Sequence, residues 1–189
     1  MLLFEFENNL TSQDVYAIIQ KDCQPFLEAI GNKPKSNILY RGMTGPSAPI
    51  QKKQVHLDSR KPMTTNNEIH DLINDYFTRQ FGEPFRNALF TSGDRDQALG
   101  YGNKVLSIFP IGNFTFVWSP RMIDMYDVTW PRPGGFSNVT PSQEAVDYTL
   151  EAYDYTNKSF TSAIHSGNEI MIRCNEYYAV TQTVVEEWK

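Results

Sequence analysis

The chain has 189 residues, 40% of them hydrophobic and 13% aromatic, with a formal net charge of −5. That length is most simply one domain spanning residues 1–189, and 21% charged residues exclude wholesale disorder. The acidic balance argues against a surface that grips nucleic acid everywhere, while leaving room for a local basic patch.

Thr11-Ser12-Gln13-Asp14 reads as a helix N-terminus with an acid in its first turn, and Val15, Ile18 and Ile19 follow at helical spacing. Pro25 breaks or restarts that helix before Phe26, Leu27 and Ile30. Ile38-Leu39-Tyr40 reads as a short buried strand ending at Arg41-Gly42. Residues 43–63 hold three prolines and few apolar residues, so they read as a long loop, with the basic residues Lys52, Lys53, Arg60 and Lys61 solvated. Thr65-Asn66-Asn67-Glu68 has the pattern of a capping box, and Ile69, Leu72, Ile73, Tyr76 and Phe77 continue as an amphipathic helix to Phe81-Gly82.

Ala88-Leu89-Phe90 is strand-like, and Ser92-Gly93-Asp94 turns into a short helix carrying Ala98, Leu99 and Tyr101. Val105–Phe109 and Phe114–Trp118 read as strands, with 110–113 as the turn between them. Residues 130–141 read as a second irregular loop, after which Thr140 caps a helix starting at Pro141. Ile170–Cys174 and Tyr177–Val185 are β-rich. The order points to an α+β fold, with N-terminal helices and a mostly antiparallel sheet, rather than a βαβ repeat.

Cys23 and Cys174 are the two cysteines; their separation excludes a disulfide framework and predicts buried free thiols. His56, His70 and His165 form no zinc pattern, so no metal is expected. Met1–Glu7 lacks a basic region and meets an acid after four residues, unlike a signal peptide, and no apolar run is long enough to span a membrane. A cytoplasmic location without membrane contact is expected, in the host cytoplasm if the source is viral or an effector.

Three short pieces carry the chemistry: Tyr40-Arg41-Gly42, Phe90-Thr91-Ser92-Gly93 and Asn168-Glu169-Ile170-Met171-Ile172. Cleavage of NAD+ at the nicotinamide ribose passes through an oxocarbenium-like transition state. The leaving group is a pyridinium that departs neutral, so no general acid is needed. An arginine fork matches pyrophosphate oxygens, hydroxyls orient the sugar, and a carboxylate stabilises the developing cation.

In that order the pieces resemble the three motifs of the arginine–serine–glutamate, toxin-like branch of the ADP-ribosyltransferase superfamily. The resemblance spans residues 39–173 through short motifs. It implies a split β core around an NAD cleft and mono-ADP-ribosyl transfer from NAD+, as co-substrate, to a macromolecular acceptor, protein or nucleic acid. It further implies catalytic roles for Glu169 and Arg41, and NAD contacts from Arg41, Gly42, Thr91, Ser92 and Tyr101. Two departures stand out. Gly167 occupies the place where arginine-modifying members carry a second acid, which predicts an acceptor other than arginine. Phe90-Thr91-Ser92 stands where the family often has Ser-Thr-Ser, leaving open which hydroxyl matters.

Each residue also has a structural reading. Arg41 suits a strand end paired with a surface acid, Thr91 and Ser92 suit a helix cap, Glu169 a solvated strand start and Tyr101 a core position. Two other functions stay open. The aromatic-rich second half fits a non-catalytic binding or structural protein. Asp124, Asp127, Glu144, Asp147, Glu151 and Asp154 could serve a metal-dependent carboxylate hydrolase, although the last four recur at the spacing of a solvated helix face.

Overall fold

The computed structural model describes residues 10–45, 48–58, 67–126 and 142–188. Thr11 caps the first helix, α1 (Ser12–Asp22), in a reciprocal capping box with Asp14. Pro25 sits in the first turn of α2 (Gln24–Ala29), where a missing N–H costs no helical bond. The remaining helices are α3 (Asn67–Phe81), α4 (Arg95–Leu99), α5 (Gln143–Ala152), α6 (Phe160–Ser166) and α7 (Gln182–Glu186). The strands are β1 (Leu39–Met43), β2 (Ile50–Gln54), β3 (Leu89–Ser92), β4 (Lys104–Pro110), β5 (Thr115–Trp118), β6 (Glu169–Arg173) and β7 (Glu176–Thr181).

Among the described residues the strands form one antiparallel sheet in the order β2-β7-β4-β1-β3-β6-β5. Its middle is weak. β1 pairs with β4 at five positions and β3 with β6 at four, but β1 meets β3 only at Tyr40↔Ser92. The sheet therefore parts at β1 and β3, where two of the three motifs end.

Two apolar clusters hold the halves in place. One joins α1, α2 and α6 to β1, β4 and β7, with Val15, Ile19, Phe26, Leu39, Ile108 and Val180 at its heart. The other packs α3 and α5 against Val117 and Met171, through Ile73, Phe77, Val146 and Leu150. β6 belongs to both: Ile170 and Ile172 face the first cluster and Met171 the second, the period-two alternation of a strand covered on both sides. All three are fully buried, each stabilising the fold by roughly 1.5–3 kcal/mol. Glu169 thus starts on a firmly anchored strand.

The structure corrects the sequence reading in several places. The 43–63 loop contains β2, an edge strand on β7. Only Ile50 of β2 is buried, and its lysines leave no apolar alternation; charged edges of this kind resist pairing with other chains. Lys52 pairs with Glu176 at 2.8 Å. The 110–113 link joins no hairpin, because β4 and β5 lie in opposite halves of the sheet. Residues 182–186 are helical despite their β-branched side chains, since Val185 is buried in the first cluster there. Ser142 caps α5, its hydroxyl accepting the Ala145 N–H, and Thr140, Pro141, the 130–141 loop, Thr65 and Asn66 lie outside the described residues. Tyr101 follows α4 instead of sitting in it, and is 59% exposed rather than core. Helix α6 had no counterpart in the sequence reading.

α4 lies directly on the β1 backbone. A Cβ on Gly42 would stand 2.1 Å from the Ala98 carbonyl and 2.9 Å from the Gly102 nitrogen, both main-chain atoms. Gly42→Ala should therefore destabilise the protein by about 1–3 kcal/mol or more, read as a lower urea midpoint with unchanged slope. Wild-type stability in that variant would refute the close approach of α4 to β1.

Candidate functional site

A cavity of about 210 Å³ opens where the sheet parts. Arg41, Gly42, Thr91, Ser92, Tyr101 and Glu169 all line it. The three separated sequence pieces thus converge on one place. Tyr40, Arg86, Phe90, Gln97, Ala98, Asp124 and Tyr126 complete the wall. The volume lies below the ~300–1,000 Å³ of typical ligand sites, so a dinucleotide would extend beyond it.

Arg41 lies within β1. Its Nη1 donates to the Phe90 carbonyl at 2.6 Å, bridging the seam between the two halves of the sheet. This uses part of the fork. Thr91 is buried, and its hydroxyl donates to the Ile170 carbonyl at 3.1 Å, tying β3 to β6.

Ser92 is the most heavily committed hydroxyl. Its Oγ accepts the Asp94 N–H at 2.9 Å, lies 2.5 Å from the Gly167 carbonyl and lies 2.9 Å from Gln97 Oε1. The Asp94 carboxylate, not Ser92, caps α4 by accepting the Asp96 and Gln97 N–H groups. Ser92 joins the end of β3 to the start of β6 and so holds Glu169 in register, Ser92↔Glu169 being a direct pair.

Glu169 opens β6. Its N–H donates to the Ile123 carbonyl at 2.8 Å, and its Oε1 receives the Met125 N–H at 3.4 Å. The Gln97 side-chain amide donates to the same Ile123 carbonyl at 2.8 Å. Asn168, which is buried, donates from Nδ2 to the Ser119 carbonyl at 2.8 Å. The 119–126 segment is thereby laid against Glu169 and brings Asp124 and Tyr126 to the cavity. Asp124 accepts the Tyr126 N–H at 2.7 Å.

Arg86 has no counterpart in the sequence reading. It precedes β3, is 8% exposed, and its guanidinium lies 5.1 Å over the Phe90 ring. Phe90 thus meets both arginines, Arg41 through its carbonyl and Arg86 through its ring. Burial lowers the Arg86 guanidinium below its ordinary range, and the negative charges of Glu169 and Asp124 oppose that shift. Burial, and then the charge of Glu169, push the Tyr155 phenol well up, so it stays neutral and donates towards the sulfurs of Met122 and Met125.

Cys23 and Cys174 are buried free thiols, pushed up by burial to about 12, so neither is a nucleophile at neutral pH. Among the described residues no group of three or more His, Cys, Asp or Glu is placed to hold a metal ion. Asp147, on the acidic face of α5, is engaged by Arg79 at 2.7 Å. Asp127 lies outside the described residues. No helix among the described residues is long and apolar enough to cross a membrane.

Comparison of the chain with protein-family models, curated proteins and solved structures gave no significant match.

Proposed function

We propose that the chain is a mono-ADP-ribosyltransferase that takes NAD+ as co-substrate. One observation carries this reading: Arg41, Ser92 and Glu169, far apart in sequence, line a single cavity at the parting of the sheet. The wall also suits the ligand. It offers cationic Arg41 and Arg86, anionic Asp124 and Glu169, and the aromatic rings of Tyr40, Phe90, Tyr101 and Tyr126. A ligand joining a pyrophosphate to a cationic aromatic ring calls for those three kinds of partner together.

NAD+ supplies an activated glycosidic bond whose leaving group departs neutral. In this reading Arg41 grips pyrophosphate oxygens with the part of its fork that does not hold Phe90. Glu169 orients the ribose and stabilises the positive charge that develops there. Ser92 and Thr91 act through β6, holding the carboxylate still. A crystal structure at saturating NAD+ tests the assignment. The nicotinamide ribose is expected beside Glu169 and the phosphates beside Arg41. A cavity left empty at saturation would favour the non-catalytic alternative, and turnover that requires a divalent ion would favour a carboxylate hydrolase.

The acceptor in this reading is a non-arginine side chain or nucleic acid. An acid two residues before the glutamate would help orient and activate a guanidinium, which is otherwise a poor nucleophile. Gly167 stands at that position with φ 74°, as the left-handed cap of α6, and an added Cβ would come within 3.1 Å of the Asp94 Cβ. The backbone itself therefore disfavours an acid here. Mass spectrometry of modified targets is expected to find ADP-ribose away from arginine; modification chiefly on arginine would overturn the argument from Gly167.

A further inference from the structure

We propose that Arg86 is a positioning residue for Glu169, a buried guanidinium that fixes the carboxylates of Glu169 and Asp124 on one cavity wall. Three elements meet at this point. Arg86 comes from the link between α3 and β3, Glu169 from the first residue of β6, and Asp124 from the segment after β5. All three line the same cavity. Arg86 is 8% exposed and stacks on Phe90, whose carbonyl holds Arg41. Its backbone is pinned as well, since the Arg86 N–H donates to Asn74 Oδ1 at 2.9 Å in the buried face of α3.

A buried guanidinium needs nearby negative charge. Here Glu169 and Asp124 supply it, and the coupling is reciprocal: a carboxylate that helps Arg86 keep its proton is itself helped to lose one. Glu169 needs both charge and fixed direction to act on a ribose. One hydrogen bond to that carboxylate comes from the Met125 N–H at 3.4 Å. The other charged or titratable groups on this wall are Arg41 on β1, Tyr126 beside Asp124, Tyr40 on β1 and Tyr101 after α4, and the buried Tyr155 phenol feels the charge of Glu169.

The consequence for turnover rests on the NAD+ reading, whereas the effect on Glu169 itself does not. The test therefore has two readouts on the full chain. Carbon-13 labelling of glutamate carboxyls, with Glu169→Gln to assign the signal, follows the titration of Glu169 directly. In Arg86→Met its midpoint should rise by about one pH unit or more. In NAD+ hydrolysis kcat should fall about 10- to 100-fold with little change in KM, and the acid limb of the kcat profile should move up with the Glu169 midpoint. A folded Arg86→Met protein with an unmoved Glu169 titration would overturn the proposal. If that variant does not fold, Arg86→Lys decides, because it keeps charge and loses the fork. It should retain most of the Glu169 titration but lose kcat several-fold, and wild-type kcat would overturn the proposal. Should the wild-type protein not turn over NAD+, the assignment of activity fails while the Glu169 titration still decides the role of Arg86.

Discussion

Glu169→Gln is expected to lower NAD+ turnover about 100-fold or more, the usual cost of removing one positioned electrostatic group. Glutamine keeps the size of the side chain, and its amide oxygen can still receive the Met125 N–H. What it loses is the charge that meets the positive ribose. NAD+ affinity should change much less, so the loss falls on kcat. The fold should persist, because β6 is anchored by Ile170, Met171 and Ile172 rather than by Glu169. Unaltered turnover in the Gln variant would remove Glu169 from the mechanism. Loss of folding would instead give Glu169 the structural role of holding the 119–126 segment in place.

Arg41→Lys is the second large effect. Lysine keeps a positive charge but cannot both grip a phosphate with two parallel bonds and hold the Phe90 carbonyl. Charge-assisted hydrogen bonds contribute about 1.5–3 kcal/mol each, so NAD+ binding should weaken about 10- to 100-fold. Titration calorimetry reads this directly, and a denaturation curve separates it from instability. Normal affinity would reject the phosphate role. An unfolded variant would show that the bridge from β1 to Phe90 is what Arg41 provides.

The sequence made the anchors of this site legible because each is flanked by a local signal, Ser92 and Glu169 at strand ends and Arg41 within β1. Leu39-Tyr40 precedes Arg41, Gly93-Asp94 follows Ser92, and Ile170-Met171-Ile172 follows Glu169. Such patterns are short-range and survive without knowledge of the fold. Arg86 and Gln97 carried no comparable signal, since one is a lone cation after Pro84-Phe85 and the other a polar residue in a short helix. Only the fold turns them towards the cavity. The same holds for Asn168, which was read as part of a strand motif and proves to be a buried clamp on Ser119. β2 carries no legible signal, because an edge strand with one buried residue has almost no apolar pattern. The 182–186 segment misled in the opposite direction: its valines favour a strand, yet packing of Val185 beneath the sheet makes it a helix.

The parting of the sheet is implied by the family resemblance alone, and no run of residues signals it. It depends on β1 and β3 sharing a single pair, a property of twist and register rather than of any one residue.

The measurement that bears most directly on the proposed activity uses NAD+ labelled separately in the nicotinamide and in the adenylate, incubated with the folded protein and candidate macromolecules. The account predicts release of free nicotinamide, transfer of the adenylate label to a macromolecule, and loss of both signals in Glu169→Gln. Folded protein that releases no nicotinamide at saturating NAD+, in the presence of protein and nucleic acid acceptors, would contradict it.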